Sequence, residues 1–404
     1  MRLTMKERKK ATAILAPRYQ KARKKDKEKM LDEFIALTGY RRSYASHVLN
    51  THGKRRRVGA NRFIEADIRK KSLRGRRKFY GEDVRKPLVT IWNIMDCICG
   101  KRLKAILAEV TRRLERFREI TVNEEVRRKL LKISAATVDR LLEGERKKQR
   151  IKGRSNTKPG TLIRNQITIR TFSEWDDLRP GFVEIDLVGH DGGDAKGEFI
   201  QTLDVTDVCT TWTETEAVRN KAQKWVFDAL KDIRQLLPFP LLGIDSDSGG
   251  EFINHHQYRY CQAERITFTR SRSYRKNDNC FVEQKNYSIV RRAVGYIRYD
   301  TEEQLRILNE LYRHLRLYSN FFQPTMKLKE KIRIGSRIIK KYDKPTTPYR
   351  RVLASQHVSA QDRDNLKKQY TKLNPAKLKR QITRLQERLL RIASLKNGRV
   401  RDAA

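Results

Sequence analysis

Three acidic residues, Asp186, Asp247 and Glu283, are of the type and spacing that can hold two divalent cations over a phosphodiester. Attack on phosphorus requires an oxygen nucleophile to approach a centre shielded by negative charge. Two metal ions about 4 Å apart can activate that nucleophile and stabilise the leaving oxygen. Mg²⁺ takes hard oxygen ligands and keeps several waters, so three converging carboxylates suffice. Asp186 lies in the apolar run Phe182–Val188, which predicts a buried strand, and would bridge both ions from it. Asp247 follows a second apolar run, Leu241–Ile244, and opens Asp-Ser-Gly-Gly-Glu-Phe; Glu283 falls where a loop turns into a helix. Each of these two would complete one ion's shell. Thirty-five residues lie between Asp247 and Glu283.

Two rivals sit close by. Glu184 and Asp245 each precede a candidate by two residues, so on a strand each shares its face. Asp186 is preferred because it lies deeper in its run, and Asp247 because the motif begins there. Arg270, Arg272, Arg275 and Lys276 form a basic loop just before Glu283, and Lys285, Asn286, Arg291 and Arg292 follow it on one helix. All eight are expected to grip DNA phosphates near the scissile bond. His190 is expected to touch DNA or shape the site, whereas His255 and His256, adjacent in sequence, are poorly aimed for a metal.

Charge supports a polyanionic partner. The chain of 404 residues carries 92 Lys and Arg against 48 Asp and Glu, a formal charge of +44. From Glu174 to Asp300, however, 21 acidic and 17 basic residues give −4, so the flanks hold +48. A cation-seeking centre framed by basic arms fits an enzyme delivered to double-stranded DNA, and a uniformly basic structural protein would not gather its carboxylates centrally. The five cysteines are scattered without a Cys-x-x-Cys pair, so neither a disulfide framework nor a zinc ribbon is expected, and a reducing cytoplasm fits. No signal peptide and no membrane-spanning run are expected.

The elements that must position these groups are legible in outline. Residues 1–80 form a basic N-terminal region in which Leu31–Thr38, Gly39 and Ser43–Leu49 predict helix, turn, helix. Arg41, Arg42, Ser43, Tyr44 and His47 would face DNA there, with Arg55, Arg56 and Arg57 touching phosphates without choosing sequence. Residues 81–145 hold an apolar helix, Pro87–Cys99, closed by Gly100, and a second helix-turn-helix with Ser134, Thr137 and Arg140 outward. A basic linker spans 146–170. Between 171 and 300, strands at Phe182–Val188, Phe199–Val205 and Trp212–Val218 precede alternating helices and strands, which predicts an α/β sheet with helices on its faces. Residues 301–404 form a small basic C-terminal module. Its last helix is capped by Asn374, ends at Gly398, and packs on its own domain or across a dimer.

From about Gly181 to Asp300 the chain resembles the integrase core of bacterial insertion-sequence transposases, relatives of retroviral integrases. Gly243–Asp247, Phe268–Arg272, Lys276–Asn279, Val282–Asn286 and Val290–Arg292 are similar to one ISNCY-like insertion-sequence group, as are Lys132–Thr137 and Thr347–Arg351. The resemblance implies a multidomain protein with a ribonuclease H-like catalytic core and a DDE triad of Asp186, Asp247 and Glu283. It implies Mg²⁺ (or Mn²⁺) as cofactor, terminal inverted repeats and target DNA as partners, and a homo-oligomer that cleaves element ends and transfers their 3′-hydroxyls. Ser248 and Ser273 depart from the family's usual Asn and Pro, and no zinc-binding N-terminal module is visible. A DNA-binding regulator with an inactive core, or a nuclease that only hydrolyses, are the alternatives.

Overall fold

The computed structural model describes residues 3–59, 62–65, 79–149, 179–246, 251–252, 255–270 and 280–401. The chain divides into two compact units, 1–79 and 80–404. In the first, α1 (Met5–Lys21), α2 (Lys24–Thr38) and α3 (Arg42–Thr51) bury Ala16, Tyr19, Leu31, Phe34, Ala45 and Leu49 together. Gly39 ends α2 at φ +69°, a left-handed conformation that favours glycine, and only Gly39, Tyr40 and Arg41 separate the two helices. Two short antiparallel strands follow, β1 (Arg55–Gly59) and β2 (Arg62–Glu65).

The second unit opens with α4 (Glu82–Ile94), α5 (Gly100–Arg116), α6 (Glu124–Lys132) and α7 (Ala135–Gln149). Leu88, Ile91, Trp92, Met95 and Ile98 are buried, as their helical spacing predicts. Gly100 does not close a helix but begins α5. Its N–H donates to Asp139 Oδ1 at 2.8 Å, and a Cβ there would meet the Ala135 carbonyl at 2.5 Å, so glycine lets α5 start against α7.

The central sheet contains β3 (Phe182–Gly189), β4 (Gln201–Asp207), β5 (Thr213–Val218), β6 (Gly243–Ser246) and β7 (Thr267–Arg270), in the order β5-β4-β3-β6-β7. The first three strands are antiparallel neighbours, and β6 and β7 run parallel to β3. The core is therefore a mixed α/β sheet. One face is apolar: Val183, Ile185, Leu203, Val205 and Ile244 pack on α8 (Gln223–Leu236) and on α9 (His255–Ala263). The opposite face is polar, because alternation along each strand brings Glu184, Asp186, Thr202, Asp204, Thr206 and Asp245 to it.

Over that polar face lies α10 (Cys280–Lys285), continued by a π-helical turn (Asn286–Arg291) and the short α11 (Arg292–Val294). Next comes α12 (Glu302–Phe322), begun by a capping box in which Thr301 and Gln304 satisfy each other's backbone N–H. The antiparallel pair β8 (Leu328–Ile334) and β9 (Arg337–Tyr342) precedes α13 (Pro348–Ala354), α14 (Ala360–Lys372) and α15 (Pro375–Arg401). Asn374 Oδ1 caps α15 through Ala376 and Lys377, but the helix runs past Gly398 to Arg401; one internal glycine costs a helix only about 1 kcal/mol.

The apolar stripe of α15 (Leu378, Ile382, Leu385, Leu389) lies along α12 of the same chain. One hydrophobic cluster unites it with α4, α5, α12, Val188 of β3 and Ile200 just before β4. The C-terminal stretch is thus part of the second unit rather than a module apart. Among the described residues no helix is long and apolar enough to cross a membrane, and the five cysteines form no disulfide.

Candidate active site

Asp186 sits midway along the central strand, on the polar face. Asn286 Nδ2 donates to its Oδ2 at 2.6 Å, and the Leu187 N–H lies 2.8 Å from its Oδ1. Three residues before Asn286 on the covering helix is Glu283, exposed at the rim. What fixes that helix is Glu184. Its Oε2 accepts the N–H groups of Phe281 and Val282 at 2.8 and 2.9 Å, satisfying the otherwise orphaned start of α10 two residues before Glu283. The rival carboxylate therefore ties β3 to the Glu283 helix. Burial pushes Glu184 up to about 8, and the charges of Asp245 and Glu283 push the same way. Those three carboxylates share one electrostatic field.

Asp245 is buried at the next strand and accepts from Thr269 Oγ1 at 2.6 Å. Strand β6 ends at Ser246, paired with Ile185 beside Asp186. Asp247 itself lies outside the described residues. Among the described residues, which leave out Asp247, no three His, Cys, Asp or Glu side chains form a group able to hold a metal ion. The donors expected are carboxylate oxygens, the hard set that suits Mg²⁺.

Asp204 escaped sequence reading. It is the cross-strand partner of Asp186 on the same face and is fully buried. Thr206 Oγ1 donates to its Oδ1 at 3.2 Å, while Oδ2 has no hydrogen-bond partner among the described residues. Burial lifts it to about 8, partly offset by the Lys285 ammonium and reinforced by Asp186. A lone Asp in the apolar run Phe199–Val205 was the visible signal, but its register opposite Asp186 was not.

The fold corrects the reading of the four residues after Glu283. Lys285 is buried, donates to the Thr211 carbonyl at 3.2 Å and is lowered to about 8 by burial, so it faces inward rather than toward phosphate. Asn286 is committed to Asp186. Arg291 donates to the Gly189 and Gly295 carbonyls, pinning the π-helical turn to the end of β3. Arg292 pairs with Asp96 at 2.7 Å, which Lys379 also contacts. Arg272, Arg275 and Lys276 lie outside the described residues, and Arg270 closes β7.

His190 is a core residue. Its Nε2 meets Thr202 Oγ1 at 2.7 Å, and Thr202 in turn meets the Tyr312 hydroxyl at 2.7 Å. Burial, with Arg291 nearby, lowers it from 6.5 to about 3, so the folded ring is neutral at pH 7. The unfolded chain takes up this proton below about 6.5 and the folded chain does not. Stability conferred by neutral His190 is complete above that pH and declines toward pH 3 by up to about 1.4 kcal/mol per pH unit. Denaturation midpoints of the parent should fall between pH 7 and 5 more steeply than those of His190→Gln. Parallel curves would refute this.

No protein-family model matches the chain. It is 40% identical over 353 residues to "Uncharacterized protein y4rM" of Sinorhizobium fredii (strain NBRC 101917 / NGR234), covering 87% of this chain and 96% of that one. The chain belongs to the y4rM family. Solved structures similar to it include the HTLV-2 integrase catalytic core domain in complex with magnesium (dimeric form), 15% identical over 37% of this chain and 92% of that one, TM-score 0.29. Another is the catalytic core domain of BIV integrase, 16% identical over 44% and 96%, TM-score 0.30.

Elsewhere in this y4rM-family chain, Arg41, Arg42, Ser43, Tyr44 and His47 lie on α3 and the turn before it, and all five are exposed. Arg42 pairs with Asp32 and Glu28 of α2, which steadies the turn. Arg55 begins β1; the side chains of Arg56 and Arg57 lie outside the described residues. At the start of α7, Ser134 Oγ accepts the Thr137 N–H at 3.2 Å, and Arg140 donates to Thr137 Oγ1 at 2.9 Å. These three form one polar line.

Proposed function

We propose that the chain is a DDE-type DNA transposase. It binds the terminal inverted repeats of an insertion sequence, cleaves there, and transfers the 3′-hydroxyl to target DNA as a homo-oligomer. Asp186, Asp247 and Glu283 would hold two Mg²⁺ ions (Mn²⁺ as substitute), which when bound activate the attacking oxygen and stabilise the leaving one. The observation that carries this reading is the cap from Glu184 to Phe281 and Val282. It draws the Glu283 helix onto the strand bearing Asp186, although those two carboxylates stand 97 positions apart in the chain.

The remaining residues position the pair. Asn286 donates to Asp186 Oδ2 and so restrains the carboxylate. Glu184 holds the helix start, and Arg291 holds the turn behind it. A π-helical turn at this point suits a working site, where such turns are frequent. The exposed residues of α3 and of the α6–α7 turn would contact DNA. The test is incubation of the purified protein with duplexes carrying the element's terminal repeats, with and without Mg²⁺. Nicked ends and joined products are expected only with the metal; a folded protein that leaves both ends intact with Mg²⁺, and with Mn²⁺ in its place, refutes the reading.

Asn286→Ala should raise the Mg²⁺ concentration needed for half-maximal cleavage by roughly 10–100-fold, the usual cost of losing a partner that orients a ligand. An unchanged Mg²⁺ titration would remove Asn286 from this role.

A further inference from the structure

Among the described residues, the ribbon formed by β8 and β9 has no other strand on either edge, and most of its described side chains are exposed. Leu328–Tyr342 contains six cations, Lys329, Lys331, Arg333, Arg337, Lys340 and Lys341, against the single anion Glu330. Pairing puts Lys331 directly opposite Lys340, with Arg333 following on the same face. Like charges facing each other across strands oppose pairing, so this face is poised for a polyanion. Lysines on ribbon edges also discourage aggregation. That role does not account for the tip, where Ile334 and Ile338 are 63% and 47% exposed beside a two-residue turn at Gly335 (φ +59°).

The base of the ribbon is firmly placed. Asp343 Oδ1 accepts the Lys327 N–H and Oδ2 accepts from Arg351, both at 2.7 Å, and Thr325 bridges to Thr346. The Lys327 ammonium lies 5.6 Å from the ring centroid of Phe281, two residues before Glu283. Met326 and Tyr342 share a cavity of about 320 Å³ with Gln284, Lys285 and Ser288 of the same helix region. The ribbon thus leaves the body beside the helix that bears Glu283.

We propose that β8–β9 is a duplex-DNA arm whose lysines and Arg333 take phosphates flanking a groove while Ile338, directly opposite Arg333 on the same face, rests on the base edges. This rests on reading the chain as a DNA enzyme. A two-stranded ribbon fits the roughly 12 Å width of the major groove.

The experiment is fluorescence anisotropy of the full chain with a labelled duplex of arbitrary sequence across a salt series. The triple variant Lys331→Gln, Arg333→Gln, Lys340→Gln should bind more weakly. The slope of log K against log salt should be shallower by roughly 0.9 for each phosphate that is no longer neutralised. Ile338→Ser should weaken binding at an unchanged slope. Thermal melting checks that both variants are folded.

Parent-like affinity and slope in both variants overturns the proposal. So does a tip variant that alters molar mass by light scattering while both variants bind DNA as the parent does, since the ribbon would then be a contact between copies. A parent that binds through the ribbon but never cuts its ends refutes the transposase reading and leaves the arm. A parent that cuts, with ribbon variants binding identically, does the reverse.

Discussion

Glu283→Gln is expected to abolish cleavage of element ends, by at least about a thousandfold, while leaving the binding of those ends intact. The substitution keeps the volume and hydrogen-bonding capacity of an exposed rim residue and removes only its charge. Losing one preorganised group that stabilises developing charge already costs up to roughly a thousandfold. A ligand to a divalent cation should cost no less. The helix start is held from the other side, by Glu184 on Phe281 and Val282, so the fold has no reason to change. Strand cleavage on end-bearing duplexes, measured beside anisotropy on the same DNA, separates the two effects. A variant that cuts at the parental rate would take Glu283 out of the site; one that no longer binds ends would recast it as a DNA contact.

The largest expected loss of stability is at Arg316→Ala. Arg316 reaches from α12 to the edge strand β5, where its guanidinium meets both oxygens of Glu214, a side chain only 1% exposed. It also donates to the Leu236 carbonyl at the end of α8, so one side chain ties three elements. Removing it leaves a buried carboxylate with the Trp212 indole N–H as its donor and no cation beside it, a change that costs about 3–5 kcal/mol in comparable buried pairs. The pH dependence has a definite sign. Burial already raises Glu214, and losing the cation raises it further. A carboxyl with a raised folded pKa gains stability as pH falls through that value, so the variant's deficit should shrink on acidification. Urea midpoints at neutral and mildly acidic pH measure this, and a deficit independent of pH would contradict it.

Much of the core was legible because its strands are short apolar runs and its helices carry clean stripes. Phe182–Val188 became β3 with one more residue. What escaped were features set by three-dimensional register. Glu184 and Asp186 look interchangeable in sequence; only the crossing of α10 over β3 makes one a helix anchor. Lys285 read as a surface cation because an ideal helix leaves its direction open. The π-helical turn that begins at the next residue also breaks the periodicity on which such readings depend. The first helix was hidden by its own charge, although Thr4 and Glu7 form a capping box at its start. Gly100 signalled a boundary correctly but on the wrong side, since glycine serves both a helix end and a close approach between backbones.

The hydrophobic cluster shared by α4, α5, α12 and α15 with the sheet has a practical bearing. Trimming the protein to residues 179–300, the span that carries the carboxylates, would lay bare Val188, Ile200, Trp212 and Tyr299, all covered in the whole chain. The smallest fragment worth expressing for enzymology is therefore 80–404. Shorter pieces should precipitate or bind hydrophobic dyes, however intact their acidic residues.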